Sequence, residues 1–332
     1  RMELVHLTEV EDLCRKALTN MGHLPQDVEP VCEGLLWAQR RGNNQGIIKI
    51  PAGAVRPQPS AGKVTTVFDT KLSARLDAQQ RPGIVAVQEA TKMAIQKARE
   101  HGFGMVGVHN YCTTTGAIGM YAQQMADQGL LGFAFAQSPE YVAPHGTNEA
   151  IFGTNPLAIG IPRSSGCESL VLDMATSVMA YYGIHEAKAA GRPLPPNVAY
   201  DSEGNPTQDP TSALSGALLV FDRSHKGSHL ALMVEILAGA LVGADVQNKK
   251  TANNWGTLLF AIDPAELGPT DDFHTKTEAI IARVRSARKL PGVSEILMPG
   301  ERGNRLARRV VESGQIEVEA NLTQQLRECA AG

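Results

Sequence analysis

Two short tracts carry the residues best suited to chemistry: Asp173-Met174-Ala175-Thr176-Ser177 and His225-Lys226-Gly227. The first reads as a strand end opening into small side chains and free backbone amides, a helix start able to receive phosphate or ribose oxygens. The same residues equally suit an ordinary N-cap by Thr176 or Ser177. In the second tract, Lys226 beside a glycine either offers a cation to a phosphate or is a solvated lysine. His225 and His229 stand four apart, yet no Glu follows His225 as in a zinc protease helix, so no metal is expected. The loop 201–207 lacks the glycine and the distal Glu that a calcium loop requires and reads as a turn. Gly102-Phe103-Gly104-Met105-Val106-Gly107 has the spelling of a dinucleotide fingerprint in the wrong setting. A helix precedes these glycines and an apolar strand follows them, whereas the fingerprint runs strand, turn, helix. A helix C-cap leading into a strand is expected there, so a nicotinamide cofactor would have to bind outside a Rossmann fold.

Periodicity supplies the elements that position these tracts. Thr8 with Glu11 reads as a capping box, and Val10, Leu13, Cys14, Ala17, Leu18 and Met21 share a helical face. A second helix is predicted from Asp27 as N-cap, carrying Val31, Leu35 and Ala38 inward until the polar run 40–46. Residues 51–62, rich in Pro and Gly, read as a connection, and 88–99 as a helix. Strands are predicted at 105–108, 132–136, 157–161, 170–172 and 258–262, with helices at 178–190, 275–288 and 306–313. The apolar stretch 230–244 falls short of the roughly twenty residues that cross a bilayer and reads as a buried core helix.

The composition excludes several function classes. With 332 residues, 43% apolar and a net charge of −3, the chain can bury a large core but lacks the clustered basic charge of a nucleic-acid binder. No membrane association is expected. The opening Arg1-Met2-Glu3-Leu4 is not a basic-then-apolar signal, which favours a cytoplasmic location. Cys14, Cys32, Cys112, Cys167 and Cys329 are widely spaced with no Cys-x-x-Cys pair, so reduced, buried thiols are expected rather than nucleophiles.

Five tracts in fixed order fall within residues 153–302: Gly153-Thr154-Asn155-Pro156-Leu157, the two tracts above, Asp201-Ser202-Glu203-Gly204-Asn205-Pro206-Thr207, and Pro299-Gly300-Glu301-Arg302. As a set they resemble the type-2 malate/L-lactate dehydrogenases, a family that includes sulfolactate, ureidoglycolate and diketogulonate enzymes and cyclic-imine reductases. The resemblance implies a non-Rossmann, malate/L-lactate (sulfolactate) dehydrogenase-like α/β fold. It places a helical lobe in 1–60 plus 275–332 and an α/β lobe in 61–274. It further implies a homodimer, and hydride transfer between NAD or NADP and a small 2-oxo or 2-hydroxy acid such as malate or lactate. Residues matching the cofactor contacts are Ser138, Asp173, Met174, Ala175, Thr176, Ser177, His225, Lys226, Gly300 and Glu301. Neither the choice between NAD and NADP nor the particular acid is legible.

The catalytic pattern departs from the family. Its Ser-His-Gly-x-x-Arg tract corresponds here to Asn44-Gln45-Gly46-Ile47-Ile48-Lys49, and a second family histidine aligns with Tyr111. Gln45 donates a hydrogen bond but delivers no proton at neutral pH. Three readings follow. Lys49 binds the substrate carboxylate while Tyr111, His109 or Lys49 itself provides the proton; or the substrate is a cyclic imine that needs less acid help; or the chain keeps only a binding role.

Overall fold

The computed structural model describes residues 2–332. At its centre is a seven-stranded sheet in the order β2-β3-β4-β11-β5-β6-β7. These strands are β2 (Thr65–Asp69), β3 (Ser73–Asp77), β4 (Phe103–Tyr111), β5 (Leu131–Ala136), β6 (Leu157–Ile161), β7 (Leu170–Met174) and β11 (Trp255–Ile262). Only β3 and β4 pair in parallel, joined by α3 (Gly83–His101); every other neighbour is antiparallel. This is not the parallel, doubly wound sheet of a Rossmann domain. Gly102, at φ 79°, caps α3 and hands the chain directly to β4, so the fingerprint-like glycines form the expected helix-to-strand junction.

One face of the sheet carries α3 and α4 (Gly119–Ala126), whose Ala90, Ala94, Ala98 and Ala122 are buried against it. The approach is close. A Cβ on Gly104 would lie 2.2 Å from the Ala94 carbonyl oxygen, and one on Gly160 2.2 Å from that of Ala122. On the other face α7 (His225–Ala238) packs against β5 and β11. A small sheet of β8 (Ala199–Tyr200), β9 (Pro206–Thr207) and β10 (Ala217–Leu218) shares its own core with α5 (Tyr181–Ala189) and α6 (Pro210–Ser215).

The two chain ends meet. β1 (Met2–His6) pairs antiparallel with β12 (Gln315–Glu319), and α1 (Leu7–Asn20) packs on α11 (Ala320–Ala331). α2 (Pro25–Arg40) completes that core and touches α10 (Glu301–Ser313). The short α8 (Lys249–Ala252) precedes β11, and α9 (Thr270–Arg285) is fastened through Glu278, which accepts two hydrogen bonds from Arg163 at 2.7 Å.

Several expectations are corrected. The Thr8–Glu11 capping box is absent, because α1 begins at Leu7 straight out of β1 and the Leu7 amide is satisfied by the Gly314 carbonyl. Asp27 is not an N-cap: α2 starts two residues earlier on Pro25, freeing the Asp27 carboxylate to pair with Arg81 at 2.8 Å inside the core. Residues 178–180 are not helical: Val178 and Met179 form a bend, Ala180 is extended, and α5 starts only at Tyr181. The apolar stretch 230–244 is not one buried helix. α7 ends at Ala238, and Leu232, Met233 and Ile236 lie exposed on its outer side. Strands β1, β2 and β12 and the helix α11 were not predicted at all.

Candidate active site

α2 ends in the polar turn that the sequence marked as a break, and a single 3-10 turn, Ile47–Lys49, follows it. Gln39 fixes this turn. Its side-chain oxygen accepts from the Ile47 amide at 3.1 Å, and Gly46 presses so closely on Gln39 that a Cβ would fall 2.3 Å from that oxygen. The turn thereby delivers Gln45 and Lys49 to a cavity of 380 Å³. Other walls come from the 52–58 connection, the segment after β4, the Gln137-Ser138-Pro139 exit of β5, Tyr181 and Tyr182 of α5, and Trp255 at the start of β11.

Lys49 is the central charge. It is only 3% exposed, donates to the Thr114 hydroxyl at 2.5 Å, and holds its ammonium 4.4 Å from the centre of the Tyr182 ring. No carboxylate joins it among the cavity-lining residues. Burial therefore disfavours its charged form and brings its pKa down to about 7.

Gln45, Lys49, Tyr111 and Ser138 all line this cavity, so the structure brings these four sequence candidates together. Tyr111 is nevertheless fully buried, shares a 2.6 Å hydrogen bond with the Thr257 hydroxyl, and is pushed by burial well above the usual phenol range. Such a phenol is a poor proton source at neutral pH. His109 does not line the cavity; its ring lies beside Gly243, at the end of the 3-10 turn that follows α7.

Sequence reasoning missed Arg56, Thr114, Gln137, Tyr141, Tyr182 and Trp255, all of which line the cavity. They come from separate elements with no shared motif. Tyr141 and Tyr181 stack with ring centres 3.7 Å apart, giving the cavity an aromatic side.

The remaining motif residues form one continuous weave beside the cavity. Ser138 accepts from the Thr154 amide at 3.1 Å, and Thr176 donates its hydroxyl to the carbonyls of Thr154 and Asn155. Ser177 bridges to Val220, just ahead of the His225-Lys226-Gly227 tract. Asp173 accepts from the Gly119 amide at 2.9 Å, and burial lifts its carboxyl to about 6. Met174 and Ala175 follow, half-buried. Gly300, at φ 87°, turns against β7, where a Cβ would sit 3.2 Å from the Val171 carbonyl oxygen. Glu301 accepts from the Met298 amide at 2.7 Å.

Two details differ from expectation. Ala175-Thr176-Ser177 opens no helix, and the Thr176 and Ser177 hydroxyls are committed to backbone carbonyls. The helix start lies instead at His225. There Asp222 accepts from the amides of Ser224 and Gly227 at 3.0 Å each, and Ser224 accepts from that of Lys226. The side chains of His225 and Lys226 remain exposed.

Across the Asn44–Lys49 turn lies a larger cleft of 990 Å³, lined by Asn43, Asn44, Ile48, Arg192 and Arg302 among others. Glu186, Glu317 and Glu319 line the same cleft, so it carries three carboxylates against two guanidiniums.

The chain and the non-Rossmann sheet that carries this cavity have counterparts among known proteins. The sequence profile of the family described as malate/L-lactate dehydrogenase matches residues 5–327. The chain belongs to that family. It is 34% identical over 304 residues to the L-sulfolactate dehydrogenase of Methanothermobacter thermautotrophicus, covering 87% of this chain and 85% of that protein. It is 32% identical to the Δ1-pyrroline-2-carboxylate/Δ1-piperideine-2-carboxylate reductase of Pseudomonas syringae pv. tomato, over 99% of this chain and 96% of that one. The crystal structure of Δ1-piperideine-2-carboxylate reductase from P. syringae superimposes with a TM-score of 0.83 at 30% identity, over 98% of this chain and 99% of that one. Malate dehydrogenase from Entamoeba histolytica shares the fold with a TM-score of 0.90 at 24% identity, over 100% of this chain and 98% of that chain. As a member of this family, the protein keeps the expected α/β architecture.

Proposed function

We propose that the protein is a nicotinamide-dependent oxidoreductase that interconverts a small 2-oxo acid, or its cyclic imine counterpart, with the reduced form, and that Lys49 is its proton donor. One observation carries the assignment. Lys49 is a buried amine with no acidic partner, poised near neutrality in a cavity whose other ionisable groups hold their protons too tightly. A general acid works best when its pKa lies near the operating pH.

The residues present suit a pyridine dinucleotide. The cations offered to its phosphates are the exposed Lys226 at the start of α7 and, in the larger cleft, Arg192 and Arg302, which share that cleft with Glu186, Glu317 and Glu319. When bound, the reduced ring supplies a hydride to the substrate carbon. The chain's own residues do the rest. Arg56, at the lip of the same cavity, holds the carboxylate, and Gln45 donates a hydrogen bond that orients it. As negative charge grows on the substrate oxygen or nitrogen, the Lys49 ammonium stabilises it and then gives up a proton, leaving a neutral amine that Thr114 keeps in place. In the reverse direction the same amine accepts the proton. The tyrosines exclude water from this exchange.

The exposed Leu232, Met233 and Ile236 on α7 form an apolar surface that suits the self-complementary contact of a homodimer.

The test is direct. Purified protein with NADH or NADPH and a panel of 2-oxo acids and cyclic imines is followed by cofactor absorbance. Turnover of at least one substrate is expected. Failure of both dinucleotides to bind at millimolar concentration would overturn the assignment.

A further inference from the structure

A lysine ammonium has three hydrogens to place. For Lys49 the Thr114 hydroxyl takes one at 2.5 Å, and the nitrogen also lies 4.4 Å from the centre of the Tyr182 ring. That is inside the roughly 6 Å over which the face of an aromatic ring attracts a cation. The attraction is strongest where water is excluded, and Lys49 is a buried side chain.

Neighbouring rings hold Tyr182 in place. Tyr181 meets it edge-on with ring centres 5.8 Å apart, and Tyr181 in turn stacks on Tyr141 at 3.7 Å. His185, one turn further along α5, lies 5.7 Å from the Tyr182 ring. A chain of aromatic contacts thus runs from the segment after β5 through α5 to Lys49. Burial pushes the Tyr182 phenol up to about 12, so the ammonium meets a neutral ring and not a phenolate.

The other titratable groups lining the cavity are Arg56, Tyr111, Cys112, Tyr141 and Tyr181. Burial raises the three phenols and the thiol, which are neutral near pH 7, and it lowers His185, which is neutral there too. Arg56, and Lys250 over the Tyr141 ring, carry the same sign of charge as the ammonium. Glu186 of α5 lines the larger cleft instead. Among the described side chains that line the cavity, the Tyr182 ring face and the Thr114 hydroxyl are the contacts that offset the burial of this charge.

We propose that Tyr182 is a positioning residue for Lys49: the face of its ring, together with the Thr114 hydroxyl, holds the amine in its charged form and leaves its third hydrogen for the substrate. This rests on the reading of Lys49 as the proton donor and adds what keeps the proton there until it is needed. Without the ring the amine would lose its proton at lower pH and enter the reductive direction with none to deliver.

Fluorine on the ring tests this at nearly constant size, because it withdraws the electron density that draws a cation to the ring face. Wild type, Tyr182→Phe and proteins carrying trifluoro- or pentafluorophenylalanine at position 182 are labelled with carbon-13 at the lysine Cε. The Lys49 resonance, identified by its loss in Lys49→Met, is then titrated without cofactor. Tyr182→Phe should nearly keep the wild-type midpoint. The pentafluoro ring should lower it by about one pH unit, a ten-fold change in protonation, with the trifluoro ring between. If a thermal melt shows the pentafluoro protein unfolded, the trifluoro protein still decides. A midpoint unmoved by fluorination overturns the inference, as does a Tyr182→Phe midpoint as low as that of the fluorinated rings. With turnover, the alkaline limit of the reductive reaction should fall by the same amount, since that direction consumes the protonated amine. Fluorination without effect, beside an inactive Lys49→Met, sinks this inference alone. A lowered midpoint beside a fully active Lys49→Met supports the ring contact and sinks the proton-donor reading.

Discussion

Replacing Lys49 with methionine separates the cost of burying its charge from the use made of it. The side chain is 3% exposed and its pKa falls from the ordinary 10.5 to about 7. At about 1.4 kcal/mol per ten-fold change, holding the ammonium inside costs on the order of 5 kcal/mol. Because the folded pKa lies below the unfolded one, this cost is complete below pH 7. It shrinks as pH rises from 7 toward 10.5 and is absent above, where both states are neutral. Lys49→Met should therefore raise the melting temperature at pH 6, by less with each increase in pH, while removing turnover. A bound anion restores the ammonium. In the wild type, oxamate binding with NADH present should take up close to one proton per site at pH 8.5, and its affinity should fall about ten-fold per pH unit above 7. Calorimetry in buffers of different ionisation enthalpy measures the uptake. No net uptake, together with a Lys49→Met variant less stable than wild type at pH 6, would refute the reasoning.

Arg56→Ala should raise KM at least about ten-fold with kcat little changed, the mark of a group that binds substrate and transition state alike. Tyr111→Phe should cost about 1–3 kcal/mol of stability by leaving the buried Thr257 hydroxyl without its partner, yet keep kcat within the same order of magnitude. Arg81→Met should destabilise by about 3–5 kcal/mol, because Asp27 would be left charged and unpaired in the core; chemical denaturation measures this. On size-exclusion chromatography, Ile236→Glu should run as a smaller species than wild type if the exposed α7 side chains are a dimer contact.

The amino-acid sequence by itself determined the family, through five ordered tracts, two of which the structure ties together where Thr176 donates to the Thr154 carbonyl. It also determined the central strands and α3, whose period-2 and period-3.6 patterns face one large core, and the replacement at Gln45. Tertiary structure decided the rest. β1 and β12 are short and lie at opposite ends of the chain, so no local pattern reveals that they pair. Asp27 looked like a cap because its partner, Arg81, is remote in sequence. The role proposed for Lys49 depends on burial and on the absence of a carboxylate among the cavity-lining residues, and Arg56, Gln137 and Tyr182 line the same cavity from three unrelated segments. Local spacing encodes elements and motifs. A shifted pKa or an ammonium held against a ring is a property of what long-range packing places around it.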